Sequence, residues 1–260
     1  ITPVLHFTVM AYNSGAFTGS VFSRDACMRH YFEMQQIGYK QLVGTKDVKA
    51  TSSASTKRLI LDTAFGVGSQ TAGEYLSYLS TTGQTVEPWE IELRNIAYSG
   101  RVNHNCGAEH AQKLQLPPEN VSFERDGTQL LCSFDGDGDR IVFHFFSDSK
   151  NWTLLDGDRI ACLLSSFVHR SLVEANLSDR LEMGIVQTAY ANGSSSFFLR
   201  SLGVPVVLAK TGVKYLHHKA KLLDIGVYFE ANGHGTVLFS DKFRSTLAEA
   251  VANDDKSSAD

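Results

Sequence analysis

Three aspartates at alternate positions, Asp135, Asp137 and Asp139, are separated by single glycines and followed at once by Arg140. Carboxylates this close repel one another unless a cation neutralises them, and the glycines allow the tight turns that direct all three to one point. Such oxygen ligands suit a hard divalent cation, above all Mg²⁺. An EF-hand is excluded, because its glycine position holds Arg140 and its glutamate position holds Phe146. A plain turn is the alternative, but the regular spacing of this acidic loop (residues 135–140) favours a metal site.

A second loop, the polar loop of residues 230–236, contains Glu230, Asn232, Gly233 and His234 between two apolar runs. A carboxylate, an amide and an imidazole supply hydrogen-bond donors and acceptors within a short span, as binding of a neutral polyol such as a sugar requires. Asn-Gly is also a strong signal for a hairpin turn. From these residues alone, sugar binding and a simple turn both remain open.

The most basic segment of the chain is residues 210–221. Its glycine-containing start could present backbone N–H groups and Lys214 to an anion such as phosphate. A solvated surface face is an equally favoured alternative. If the segment is helical, four basic side chains share one face: Lys214, His217, His218 and Lys221.

Two further glycine-containing motifs are interpreted as structural. A second Asp-Gly-Asp-Arg sequence begins at Asp156, but it has one carboxylate fewer, and Asp156 stands where the N-cap of a helix is expected. Gly66 and Gly68 lack the third glycine of a dinucleotide-binding fingerprint, because Thr71 occupies that position. Neither motif predicts a ligand site.

The composition is that of an ordinary globular protein. The 260 residues are 43% hydrophobic and 20% charged, enough for one large domain or two smaller ones. A net charge of -4 gives no positive field that would recruit nucleic acid or an anionic membrane. The four cysteines are widely spaced and form no CxxC pair, which predicts reduced thiols in a cytoplasmic protein.

Strands and helices alternate along the chain and would position these loops. Apolar runs on both sides of the acidic loop predict two strands, and the alternation continues to about residue 239. This pattern predicts mixed α/β domains with largely parallel sheets and a domain boundary near residue 180. The low-complexity run of residues 50–56 predicts a loop or linker. A long helix is expected to begin at Asp156, with an apolar face formed by Ile160, Leu163, Leu164, Phe167, Val168 and Leu172.

Together these segments resemble the phosphohexomutase superfamily, whose members share a DGD[G/A/P]DR metal loop that the acidic loop matches at every position. Within the superfamily, Glu-Ala-Asn-Gly-His-Gly-Thr in the polar loop is similar to the eukaryotic phosphoacetylglucosamine mutases and differs from glucose and mannose mutases. The resemblance runs through nearly the whole chain. Other segments similar to this subgroup are residues 61–68, 103–108, 188–195 and 210–214.

The resemblance implies a four-domain enzyme of which this chain carries the second and third α/β domains. Residues 1–18 would end the first, serine-loop domain with a closing strand, residues 19–180 would form the metal-binding domain, and residues 181–260 the sugar-binding domain. Neither a Ser-His-Asn-Pro phosphoserine loop nor an Arg-x-Ser-Gly-Thr phosphate-binding loop occurs in the sequence. With Ile1 at its start and a polar run expected to fray at residues 253–260, the chain is expected to be a fragment, and no nucleophile is assigned.

The implied activity is that of an isomerase, an intramolecular phosphotransferase that interconverts N-acetylglucosamine 6-phosphate and N-acetylglucosamine 1-phosphate for UDP-N-acetylglucosamine synthesis. The reaction would pass through a phosphoserine and a bisphosphate, with glucose 1,6-bisphosphate or N-acetylglucosamine 1,6-bisphosphate as activator. By the same resemblance, Asp135, Asp137 and Asp139 would hold Mg²⁺ against the phosphoserine, and Arg140 would be a catalytic residue facing its phosphate.

The implied partner is a small phosphosugar, without nucleic acid or membrane, and the sequence does not give the oligomeric state. Two alternatives stay open: a non-catalytic module that binds metal and phosphosugar, and a glucose or mannose phosphomutase, against which the polar loop argues. The substrate-binding residues implied by the resemblance are Glu230, Asn232, Gly233, His234 and Lys214.

Overall fold

The computed structural model describes residues 1–15, 22–44, 57–84 and 89–257. The chain divides into two compact units, Ile1–Leu154 and Leu155–Asp260. Across the described ranges, no helix is both long enough and apolar enough to cross a membrane. The loop or linker predicted for residues 50–56 lies outside the described residues.

The first unit is a mixed sheet with helices. In chain order its elements are α1 (Thr2–Asn13), α2 (Arg24–Gly44), β1 (Lys57–Asp62), α3 (Gly68–Thr81), β2 (Trp89–Arg94), α4 (Gly107–Leu114), α5 (Phe123–Asp126), β3 (Leu130–Phe134), β4 (Ile141–Phe146) and β5 (Trp152–Leu155).

The sheet of this unit has the strand order β2-β1-β3-β4-β5. β1 runs parallel to both β2 and β3, whereas β3 and β4 are antiparallel. Ile60 and Leu131 are fully buried and pack with Phe146 in one hydrophobic cluster, and a second cluster joins α4 to β4. The apolar runs that predicted these strands are therefore the residues that form the core.

The second unit repeats this plan. Its elements are α6 (Gly157–Glu174), β6 (Met183–Thr188), α7 (Gly193–Ser201), β7 (Val206–Ala209), α8 (Val213–Ala220), β8 (Ile225–Phe229), β9 (Gly235–Phe239) and α9 (Asp241–Ser257).

In both sheets the first strand lies between the second and the third. The order is β7-β6-β8-β9 in the second unit, with β6 parallel to its two neighbours and β8 antiparallel to β9. In open sheets of this kind, ligands bind at the carboxyl ends of the parallel strands, where the strand order reverses. The acidic loop follows β3 and the polar loop follows β8, so the two loops occupy the same topological position.

The mixed α/β class predicted from the sequence is confirmed, but the chain ends differ from expectation. The strand expected at the N-terminus is wrong, because α1 begins at Thr2 with Pro3 in its first turn, where the missing N–H breaks no helical hydrogen bond. The fraying expected from residue 253 is also wrong as far as Ser257, where α9 ends.

The helix expected to begin at Asp156 is present as α6, but its unit and its buried face differ from expectation. It packs on β8 and α7 and belongs to the second unit, so the boundary between the units lies before this helix and not near residue 180, as was expected. Ile160 and Leu172 are buried as predicted, but Leu163 and Phe167 of the predicted apolar face are 62% and 49% exposed. The buried face of α6 instead includes the small residues Ala161 and Ser165.

Candidate functional site

The acidic loop brings its three carboxylates together. One oxygen from each of Asp135, Asp137 and Asp139 lies within 4.8 Å of the other two. Asp135 is buried directly after β3, and its Oδ1 accepts hydrogen bonds from the backbone N–H groups of Asp139 (3.1 Å) and Arg140 (3.2 Å). The loop is thus folded around Asp135, and the donor set it presents is the all-oxygen set that hard divalent cations prefer.

The carboxylates of the acidic loop differ in their electrostatics. Burial raises the pKa of Asp135 to about 6. The hydrogen bond from the backbone N–H of Arg140 opposes this increase, whereas the negative charges of Asp139 and Asp137 add to it. The hydroxyl of Thr2 donates to Asp137 Oδ2 at 2.7 Å and lowers the pKa of Asp137. This crowding of like charges is the arrangement that a bound cation stabilises.

Arg140 lies beside the carboxylates. Its Nε is 3.5 Å from Asp135 Oδ2 and 3.9 Å from Asp139 Oδ1, and its Nη1 donates to Glu109 Oε2 at 3.2 Å. Glu109, in α4, therefore holds one side of the guanidinium while another side meets the acidic loop. The structure brings together all four residues that the sequence singled out in this loop.

Two glycines allow another segment to pack on the acidic loop. The N–H of Val67 donates to the carbonyl of Gly136 at 3.1 Å. A Cβ on Gly66 would lie 2.2 Å from that carbonyl oxygen, and a Cβ on Gly136 would lie 2.5 Å from a methyl group of Val102. Gly66 is not part of a dinucleotide-binding fingerprint. It is needed because the backbone at residues 66–67 lies directly against the backbone of Gly136.

Asp62 is a buried carboxylate that sequence reasoning missed. Its Oδ1 accepts from Ala64 N (3.0 Å) and Asn95 Nδ2 (2.9 Å), and its Oδ2 accepts from Gly107 N (2.7 Å). Burial raises the pKa of Asp62, and these hydrogen bonds oppose the shift. The carboxylate ties the turn after β1 to the end of β2 and the start of α4. The sequence feature that could have indicated Asp62 is an aspartate at the end of a buried strand, directly before a turn.

A chain of buried polar side chains reaches Asp62 from β5. Trp152 Nε1 donates to His144 Nδ1 at 3.2 Å, His144 Nε2 is 3.0 Å from Ser133 Oγ, and the Ser133 hydroxyl bonds to Asp62. Because an indole N–H can only donate, His144 is neutral with its proton on Nε2, and Nε2 donates to Ser133. Burial lowers the pKa of His144 to about 4, which favours this neutral form.

Trp152→Phe is expected to destabilise the chain by about 1 kcal/mol, because it leaves the buried Nδ1 of His144 without its donor. Urea unfolding followed by circular dichroism measures the change. Trp89→Phe is the matched control, since Trp89 contributes its ring face to Lys57 and phenylalanine keeps a ring there. Equal stability of the two variants would contradict a role for this hydrogen bond.

The polar loop is a tight connection between the antiparallel strands β8 and β9. Glu230 N–H donates to the His234 carbonyl at 2.8 Å, and Gly233 N–H donates to the Glu230 carbonyl at 2.9 Å. Gly233 has a φ of 90°, a region that favours glycine, and Asn232 Oδ1 accepts from His234 N at 3.1 Å. The loop is therefore the hairpin turn that Asn-Gly indicated, and its side chains are gathered at the ends of the strands.

The start of the basic segment meets the polar loop. Glu230 Oε1 accepts a hydrogen bond from Gly212 N at 3.1 Å, directly before α8, and Lys214 stands exposed in the first turn of that helix. Of the basic side chains predicted to share a face of this segment, Lys214 and His218 are exposed, whereas His217 is half-buried, with its Nδ1 3.1 Å from the hydroxyl of Tyr228. Desolvation lowers the pKa of His217, and the nearby charges of Lys221 and His218 lower it further.

The structure thus gathers the predicted site residues into two groups, each within one unit. Asp135, Asp137, Asp139 and Arg140 form the first, at the end of β3. The second lies at the ends of β7 and β8, where Glu230, Asn232, Gly233 and His234 share the polar loop and Gly212 links it to the helix of Lys214. The N-cap predicted at Asp156 is confirmed, because Asp156 Oδ1 accepts from Arg159 N at 3.1 Å.

Comparison with known proteins finds similarity to phosphoacetylglucosamine mutases. Residues 156–260 match the family model of phosphoacetylglucosamine mutase AMG1, domain III. Human phosphoacetylglucosamine mutase is 41% identical over 251 residues, which cover 96% of this chain and 43% of that protein. The chain thus spans less than half the length of this relative.

Solved structures show the same similarity. Aspergillus fumigatus N-acetylphosphoglucosamine mutase, in complex with GlcNAc-6P and magnesium, is 35% identical with a TM-score of 0.82 over 95% of this chain and 44% of its own. A single-residue variant of the same fungal protein is also known in complex with glucose 1,6-bisphosphate. The substrate complex of an N-acetylglucosamine-phosphate mutase, a member of the α-D-phosphohexomutase superfamily, gives a TM-score of 0.80 at 32% identity over 95% of this chain and 44% of its own. Over most of its length the chain is therefore similar in sequence and fold to part of the phosphoacetylglucosamine mutases of the phosphohexomutase superfamily.

Proposed function

We propose that this chain supplies the metal-binding and sugar-binding parts of a phosphoacetylglucosamine mutase. The whole enzyme would interconvert N-acetylglucosamine 6-phosphate and N-acetylglucosamine 1-phosphate, on the route to UDP-N-acetylglucosamine. The observation that carries the proposal is the convergence of three carboxylates within 4.8 Å at the end of β3, in a chain 41% identical to the human mutase.

In this proposal Asp135, Asp137 and Asp139 hold Mg²⁺. Bound there, the ion would neutralise charge on the phosphoryl group that is transferred. Arg140 is proposed as a catalytic residue that presents its forked donors to the same phosphate, while Glu109 keeps the guanidinium beside the acidic loop. The phosphoserine that carries the phosphoryl group would come from a part of the enzyme outside these 260 residues.

The polar loop is proposed to hold the sugar. Gly212 N–H engages Oε1 of Glu230, and we assign Oε2 to a sugar hydroxyl. Asn232 and His234 would contribute further polar contacts, Gly233 makes the turn that gathers them, and Lys214 would face a phosphate of the substrate. The fungal relative that binds GlcNAc-6P and magnesium supports these assignments, as does the match of this half of the chain to the domain III model.

The activator and the compartment are also part of the proposal. A hexose bisphosphate, glucose 1,6-bisphosphate or N-acetylglucosamine 1,6-bisphosphate, would load the serine; the fungal relative in complex with glucose 1,6-bisphosphate supports this. The four cysteines are free thiols in the structure, which supports a reducing compartment such as the cytoplasm.

A chimeric enzyme tests the proposed function. If the corresponding segment of the human relative is replaced by these 260 residues, the chimera is expected to convert N-acetylglucosamine 6-phosphate in a coupled assay with Mg²⁺. The isolated chain is expected to show no turnover, because phosphoryl transfer needs a group that carries the phosphoryl. A folded but inactive chimera would favour the non-catalytic module, and activity of the isolated chain would reveal an unrecognised nucleophile.

A further inference from the structure

The second Asp-Gly-Asp-Arg motif lies between two loops of the second unit. Gly157 N–H donates to the carbonyl of Ala231 in the polar loop at 3.1 Å. Asp158 Oδ2 accepts from the N–H of Asn192, in the turn after β6, at 2.8 Å. β6 and β8 are parallel neighbours, so the start of α6 connects the two loops at the carboxyl ends of these strands, where the strand order reverses.

Gly157 is a point of direct backbone contact with the polar loop. A Cβ at this position would lie 1.8 Å from the carbonyl oxygen of Glu230 and 3.1 Å from the nitrogen of Gly233. That carbonyl also accepts the N–H of Gly233, so it cannot turn away without opening the loop. Because glycine has no side chain, residue 157 allows the backbone of Glu230 to occupy its observed position.

Asp158 fixes the turn after β6 through a hydrogen bond. It is only 3% exposed, and its bond to Asn192 N–H satisfies a carboxylate that burial would otherwise penalise. The side chain of Asn192 in turn accepts from Ser194 N at 2.9 Å and caps α7. Neighbouring residues of one helix thus hold two separate loops in register.

We propose that Gly157 and Asp158 are positioning residues, which fix the polar loop and the Asn192 turn relative to each other and thereby set the affinity for the sugar phosphate. This inference rests on the proposed function, because it takes the ligand of the polar loop to be that sugar phosphate. It assigns the second acidic motif a role beyond capping a helix, without metal binding.

Gly157→Ala is compared with Gly193→Ala in the 260-residue chain. Both glycines are the first residue of a helix and follow a capping side chain, but a Cβ on Gly193 meets no atom within 4 Å. Displacing the loop through Gly157→Ala is expected to weaken N-acetylglucosamine 6-phosphate binding by about tenfold to a hundredfold in calorimetry, with Mg²⁺ affinity unchanged. Amide hydrogen exchange at residues 230–234 should become faster. Gly193→Ala should change neither property.

Asp158 is tested by a conservative pair, which also decides the matter if Gly157→Ala does not fold. Asp158→Asn keeps an oxygen that accepts the N–H of Asn192, whereas Asp158→Leu has a similar size and no acceptor. The leucine variant is expected to lose sugar affinity and the asparagine variant to recover most of it. A role in stability alone would lower the melting temperature and leave the affinity of the folded protein unchanged.

The inference and the proposed function can fail separately. Unchanged sugar affinity in folded Gly157→Ala and Asp158→Leu would overturn the positioning role and leave the function standing. If the unsubstituted chain does not bind the sugar phosphate, the proposed function loses its support. Hydrogen exchange then decides the positioning role, and unchanged exchange at residues 230–234 in Gly157→Ala and at residues 189–194 in Asp158→Leu would overturn it.

Discussion

Asp137→Asn is expected to lower the Mg²⁺ affinity of the chain by at least about tenfold, and turnover of the chimeric enzyme by about a hundredfold or more, the usual cost of losing one electrostatic stabiliser of a transition state. The substitution removes one of three charges that a divalent cation would neutralise. Asp137 is the sharpest choice because it is exposed and its Oδ2 accepts from the hydroxyl of Thr2, a hydrogen bond that an amide oxygen can also accept. Asp135, in contrast, holds two backbone N–H groups, and its loss would unfold the loop.

Titration calorimetry with Mg²⁺ measures the first effect and the coupled assay the second. Asp148→Asn is the control, because it removes an equal charge from an exposed position of the same unit. Retained affinity in the control and reduced affinity in Asp137→Asn would identify a local ligand rather than a general loss of negative charge. Equal Mg²⁺ affinity in the two variants would show that the acidic loop is a turn and not a metal site.

The fold was predictable where a single stretch of sequence carries the whole signal. Residues 57–62 read Lys-Arg-Leu-Ile-Leu-Asp, and their burial rises steadily along the strand to fully buried positions at its end. Such apolar runs between polar residues predict strands, and their alternation with helices predicted the class. α1 could not be found in this way, because its apolar residues Leu5, Val9 and Met10 are exposed and give no amphipathic period.

The same contrast applies to the site. The acidic and polar loops are contiguous in sequence, so their residue types and spacing disclosed both of them. The contacts that hold these loops join distant segments: Asp62 binds the N–H of Gly107, 45 residues away, and Gly157 meets the polar loop through backbone atoms alone. Backbone contacts leave no mark in the sequence except a glycine, and a lone glycine is just as typical of a tight turn, a helix end or a β-bulge.

Glu230→Gln is expected to depress turnover of both phosphate isomers by the chimeric enzyme by about 10-fold to 150-fold, equivalent to about 1.5–3 kcal/mol for a hydrogen bond to a charged acceptor. The substitution should weaken the contact with the sugar and leave the structure of the polar loop unchanged. The bond that fixes the loop to the start of α8 runs from Gly212 N–H to Oε1 of Glu230, and glutamine keeps an oxygen that can accept it. What changes is the charge of the side chain and the second oxygen, which we assign to a sugar hydroxyl.

Steady-state kinetics on both isomers, together with Mg²⁺ titration, separates this effect from a structural one. Glu182→Gln is the control, because Glu182 is exposed in the same unit, directly before β6. In the proposed cycle the sugar is held in two orientations, so the substitution should slow the forward and the reverse reaction alike, with Mg²⁺ affinity unchanged. If the kinetics on both isomers equal those of the control, the polar loop is a hairpin turn that binds no ligand.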